Sequence, residues 1–99
     1  MKKAFERNLI KRLPVKDLKL NVNEKDLYVV ALISSNFTEE EKLYLAYEIH
    51  YEIITNEKYL RRLNVNYIAS ISIKETEEEY NEEVEYNEYN CDGGMYYEI

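Results

Sequence analysis

The last 25 residues of this chain hold ten carboxylates, Glu75, Glu77, Glu78, Glu79, Glu82, Glu83, Glu85, Glu88, Asp92 and Glu98, and no lysine or arginine. That segment has a formal charge of −10. Residues 1–74, with 13 basic and 10 acidic side chains, carry +3, so the net −7 conceals a polarised molecule. Such a run suits three uses. It can keep the protein soluble and blunt a sheet edge. It can present a phosphate-like array to a cationic partner. It can bind a metal cation. The third fails at its most informative position: Glu88, Tyr89, Asn90, Cys91, Asp92 and Gly93 match the opening of a calcium loop, but the bidentate acid due six residues after the glycine falls on Ile99.

Other reactive side chains are few. His50, the one histidine, has no ligand-type residue at a useful spacing except Glu52 and reads as a core-edge residue. Cys91 sits in acidic surroundings that raise a thiol pKa, and Gly93 and Gly94, the only glycines, make no phosphate loop. Neither an enzyme nor a metal or other cofactor is expected. Lys2, Lys3, Arg7, Lys11, Arg12, Arg61 and Arg62 could touch nucleic acid, but the net charge opposes approach, so they are expected to neutralise the acidic tail internally or in a dimer. Direct nucleic-acid binding is not expected. Tyr44, Tyr47 and Tyr51, at helical spacing, are expected in the core, with a partner face as the alternative.

The elements that must hold these groups follow from periodicity. Phe5, Leu9, Ile10 and Leu13 predict a helix over Lys3–Leu13, stopped by Pro14. Leu18, Leu20 and Val22 alternate with polar residues, and a turn at Asn23–Asp26 leads into Leu27–Ser34, a hairpin whose second strand is apolar on both faces. That strand must be covered on both sides, or on one side and by a partner. Thr38 and Glu41 form a capping box that opens a helix to about Thr55, with Leu43, Ala46, Tyr47, His50, Ile53 and Ile54 expected inward. A short helical stretch, Glu57–Leu63, follows. Val65, Tyr67, Ala69, Ile71 and Ile73 then alternate as a strand to Lys74. In the acidic segment Tyr80, Val84 and Tyr86 share one pleat face, which predicts an amphipathic strand, and Asp92–Gly93 predicts a hairpin setting Tyr89 opposite Tyr96 and Tyr86 opposite Ile99. The expected fold is one α+β domain over residues 1–99, an antiparallel sheet with helices packed on one face, in the order α-β-β-α-β-β-β.

Composition narrows the class. An apolar fraction of 45% excludes wholesale disorder, although eleven tyrosines supply nearly a quarter of it. The longest apolar run, Leu27–Ile33, is far short of a membrane span. One cysteine permits no internal disulfide, and the first residues run straight into charge, so a reduced, cytoplasmic protein is expected. Abundant Asn, Tyr, Lys, Ile and Glu match A/T-rich codons, as in small bacteriophage or mobile-element reading frames and in many low-GC cellular genes.

The candidate binding surface is Glu77, Glu78, Glu79, Tyr80, Glu82, Glu83, Glu85, Tyr86, Glu88, Tyr89, Asp92, Tyr96 and Glu98. As an extended strand, Glu75–Glu88 would carry one carboxylate per roughly 6 Å, against about 1.7 Å per charge in duplex DNA and 3.4 Å in one strand. Reaching that density would require the Glu98 strand alongside, Glu48 or Glu52 from a helix, or a second protomer in a homodimer. The interleaved tyrosines, Tyr97 among them, add rigid area that stacks on arginine. With them, Glu75–Glu88 resembles the acidic faces of small phage-encoded DNA mimics of the anti-CRISPR and anti-restriction type. The resemblance implies an inhibitor, in a host cytoplasm if phage-encoded, that binds the basic groove of a nuclease or its effector complex and no membrane. Two rivals stay open: a phage accessory or structural protein whose acidic hairpin mediates self-association or solubility, and an antitoxin-like partner of a basic toxin.

Overall fold

The computed structural model describes residues 2–89 and 96–98. The chain runs α1 (Lys2–Arg12), β1 (Asp17–Asn23), β2 (Asp26–Leu32), α2 (Glu39–Ile54), α3 (Glu57–Leu63), β3 (Tyr67–Lys74), α4 (Glu77–Tyr89) and β4 (Tyr96–Glu98). The strands lie in the order β1-β2-β3-β4. β1 and β2 form the expected antiparallel hairpin, but β3 runs parallel to β2, and the short β4 parallel to β3. The sheet is therefore mixed and not antiparallel. The expected order is corrected as well, because residues 77–89 form a helix where a strand was expected.

β2 explains the layering. Leu27, Val29, Ala31 and Ile33 pack with Phe5 and Leu9 of α1 and with Leu45, Ala46, Ile49 and Ile53 of α2. Val30 and Leu32 face the other way and meet Tyr80 and Val84 of α4. Helices thus cover both faces, against the expectation of one, and they satisfy a strand that is apolar on both sides. The two parallel crossovers step in the same direction across the sheet with their helices on opposite faces. They must be of opposite hand, so one departs from the right-handed rule that about 98% of such connections obey.

Local irregularities set the register. β3 carries an extra residue, Ala69, where its pairing shifts from Leu27↔Ile68 to Tyr28↔Ser70. The bulge lets Ile68 join Ile71 and Ile73 against the main core, breaking the strict alternation expected from Val65, and leaves Ser70 and Ser72 buried. α3 ends at Asn64, left-handed at φ 58°, where Asn64 N–H donates to Arg61 O (3.1 Å) and Val65 N–H to Leu60 O (3.0 Å). Tyr59 of α3 stacks on Phe5 of α1 with ring centroids 4.6 Å apart. On the outer edge of β1 the buried Glu6 carboxylate accepts the Leu20 N–H at 2.8 Å, occupying a donor that an edge strand would leave open.

The β1–β2 turn consists of Glu24 and Lys25, both left-handed at φ 52° and 74°. Two-residue hairpin turns of this kind favour Asn-Gly because a Cβ in that region is strained. The turn is nonetheless anchored, since Lys25 O accepts the N–H of Asn66 (2.8 Å) and of Tyr67 (3.4 Å). Lys25→Gly keeps that carbonyl and removes the Cβ. It should stabilise the protein by about 0.5–1 kcal/mol, raising the calorimetric midpoint by a few degrees, and Lys25→Val should lower it.

Candidate partner-binding surface

The acidic segment is a helix because Thr76 caps it. The Thr76 hydroxyl accepts the Glu79 N–H at 3.2 Å and donates to Glu79 Oε1 at 3.1 Å, while Tyr80 N–H donates to Thr76 O at 3.0 Å. Thr76-Glu77-Glu78-Glu79 repeats the Thr38-Glu39-Glu40-Glu41 tetrad that opens α2, where Glu41 N–H donates to Thr38 Oγ1 (3.1 Å) and Thr38 N–H to Glu41 Oε1 (2.8 Å). That second cap was the signal sequence reasoning missed. Three glutamates in the first turn also suit the positive end of the helix dipole.

Docking decides which residues can meet a partner. Tyr80, Val84 and Asn87, at i, i+4 and i+7, face the sheet, with Tyr80 and Asn87 about 5% exposed or less. Asn21 Nδ2 on β1 donates to Asn87 O at 2.6 Å and ties the last turn of α4 down. The Tyr80 hydroxyl lies close to the Asp17 carboxylate without meeting hydrogen-bond geometry, and burial together with that charge raises it above the usual phenol range. It remains protonated at neutral pH. Tyr80 is thus removed from the expected surface, since its ring is part of the core.

Glu83 is removed too. It is mostly covered and pairs with Lys74 at 3.5 Å, and Glu75, just before the helix, pairs with Lys42 of α2. Lys42 also meets Glu39 at 3.1 Å, and Arg12 meets Glu52 at 3.4 Å, so Glu52 is engaged on the far side of the sheet from α4. The acidic segment is thus met by Lys42 and Lys74, whereas Arg12 and Arg61, two of the residues expected to neutralise it, pair instead with Glu52 and Glu57.

What remains outward on α4 is Glu77, Glu78, Glu79, Glu82, Glu85 and Glu88, with Tyr86 beside them at 46% exposure. At a helical rise of 1.5 Å these six carboxylates occupy roughly 17 Å, or about one per 3 Å. Counted along the helix axis, that is close to the one charge per about 3.4 Å of a single nucleic-acid strand. The helix reaches it without the Glu98 strand, Glu48, Glu52 or a second protomer. Tyr89 closes α4, so the expected strand pairing with Tyr96 is corrected: Tyr96 and Glu98 stand in β4 opposite Ser70 and Ser72 of β3. The side chains of Tyr89, Tyr96 and Glu98, together with Cys91, Asp92 and the Asp92–Gly93 turn, lie outside the described residues.

α2 supplies the other departure. Leu45, Ala46, Ile49 and Ile53 face the sheet, whereas Leu43, Tyr44, Tyr47, Tyr51 and Ile54 are exposed, so the expected inward face is displaced and the three tyrosines are not core residues. His50 is half-buried at the boundary. Among the described residues, no three His, Cys, Asp or Glu side chains gather where they could hold a metal, and no helix is long and apolar enough to cross a membrane. No family model, curated protein or solved structure matches the chain.

Lys42 offers a test of the contact that holds the entry of α4. Hydrogen bonds to Glu75, then to Glu39, raise its ammonium above the ordinary lysine range. A raised folded-state pKa means that the contribution is complete below the unfolded value near 10.4 and is lost as pH climbs through the folded value. The difference in unfolding free energy between the unaltered protein and Lys42→Gln should be flat from neutral pH to about pH 10 and shrink above it. Parallel denaturant titrations at each pH measure that difference.

Proposed function

We propose that the protein is a small non-catalytic inhibitor that engages a basic, nucleic-acid-binding groove, that of a host defence nuclease or its effector complex, by presenting α4 in place of a nucleic-acid strand. The observation that carries this reading is the outward array Glu77, Glu78, Glu79, Glu82, Glu85 and Glu88, unbroken by any cation within the helix. A solubilising segment needs only net charge. This one has strand-like spacing on a helix pinned at both ends, by Thr76 at its start and by Asn21 at its last turn. A rigid array loses less entropy on docking than a disordered acidic tail would. Tyr86 offers a face on which a groove arginine can stack.

Exposed ion pairs are worth about 0–1 kcal/mol each, so single replacements on α4 should weaken binding only mildly. Glu82→Lys, Glu85→Lys and Glu88→Lys together should abolish it while leaving folding intact, because cations suit the negative end of the helix dipole. Binding of the unaltered protein should fall steeply with salt and compete with DNA. Co-purification with a candidate nuclease complex, followed by DNA displacement, checks both. Undiminished binding by the triple variant, or simultaneous occupancy by DNA and protein, would overturn the reading.

A further inference from the structure

α2 packs on the sheet through Leu45, Ala46, Ile49 and Ile53, and its opposite side is not the polar stripe that a surface helix normally presents. Tyr44, Tyr47 and Tyr51 succeed one another there at 59%, 57% and 64% exposure, flanked by Leu43 and Ile54. A buried tyrosine covers roughly 150–250 Å², so these three rings alone leave on the order of 300 Å² in water. That matches the largest patch on a typical monomer, and such patches are often functional. Tyr44, Tyr47 and Tyr51 also line a shallow concavity with Glu48, which gives an incoming ring a seat.

The charges at the two ends name the occupant. Glu40 and Glu41 are exposed in the first turn of α2, while Lys58 and Arg62 are exposed on α3, immediately beyond its last turn. An aromatic middle lined also by Glu48 and Glu52, with acid at one end and base at the other, is complementary at its ends to itself turned through 180°, the condition for an isologous contact. We propose that α2 pairs antiparallel with α2 of a second copy across a two-fold axis near Tyr47. Tyr44 then lies beside Tyr51 of the second copy, and Glu40 and Glu41 approach its Lys58 and Arg62. α4 lies on the other face of the sheet, so the contact uses none of the residues proposed for target binding and leaves that helix open in both copies.

Sedimentation equilibrium of the intact protein tests this. The expected result is a reversible species of twice the 12.0 kDa chain mass. Tyr47→Glu should raise its dissociation constant at least about 30-fold, as loss of a central aromatic anchor does. Because that residue is exposed, circular dichroism should be unchanged. Glu40→Lys should weaken association, and Glu40→Lys combined with Lys58→Glu should restore it, a swap that leaves the core untouched. The variant Glu82→Lys, Glu85→Lys, Glu88→Lys should self-associate normally even though it no longer binds a target. A monomer at every concentration would overturn the proposal, as would a dimer indifferent to Tyr47→Glu or one lost with the α4 variant.

Discussion

Everything in this structure depends on covering β2. A strand apolar on both faces cannot leave either one in water, because side chains alternate and no shift of register hides both sets. The main core covers Leu27, Val29, Ala31 and Ile33, which leaves Tyr28, Val30 and Leu32 to a second layer. Among the described residues, the acidic segment supplies that layer through Tyr80 and Val84. Its inward positions go to Tyr80, Val84 and Asn87, while Tyr86 and most of the carboxylates of α4 fall on the opposite side. The charged face of α4 is thus the complement of a packing demand at the centre of the sheet.

The same demand explains how the carboxylates divide. Those next to the sheet or at its ends, Glu75 and Glu83, meet Lys42 and Lys74, which belong to α2 and β3. Those on the outer arc meet no cation from within α4, because the segment contains none. A local feature of the sequence, the exclusion of Lys and Arg after residue 74, becomes a spatial one only after the helix has wound it to a rise of about 1.5 Å per residue.

The hairpin, α2, the short α3 and the β3 strand were legible because each has a local signal: period-two alternation, a capping box, or an apolar run of strand length. α4 was not, because Tyr80 and Val84 satisfy a period of two and a spacing of four equally well. The arbiter was Thr76 with Glu79, a cap of the same composition as Thr38 with Glu41. The face of α2 was misread because Tyr47 and Ile54 were counted as core on hydropathy, whereas Leu45 and Ile49 fill that position and the three tyrosines stay more than half exposed. The parallel pairing of β3 had no local signal at all, since strand direction is set by long connections whose course no periodicity records. The acidic surface itself was read from composition. Its density was not, since that is a property of the helix and not of the residue list.

Packing like charges on one helix has a cost that ionic strength controls. Glu78 and Glu82 stand one turn apart, and Glu85 and Glu88 sit near the negative end of the helix dipole, so α4 repels itself and is held mainly by its inward residues and its cap. Opening of this helix alone should therefore require less free energy than unfolding the sheet, and its amides should exchange with solvent before those of β2. Dissolved salt relieves the internal repulsion and at the same time screens attraction to any cation outside. The two effects have opposite sign: a rise in ionic strength makes the acidic layer more ordered and less adhesive. The tightest association falls where this layer is least settled, and a cationic surface that docks there does for the helix what the salt had done.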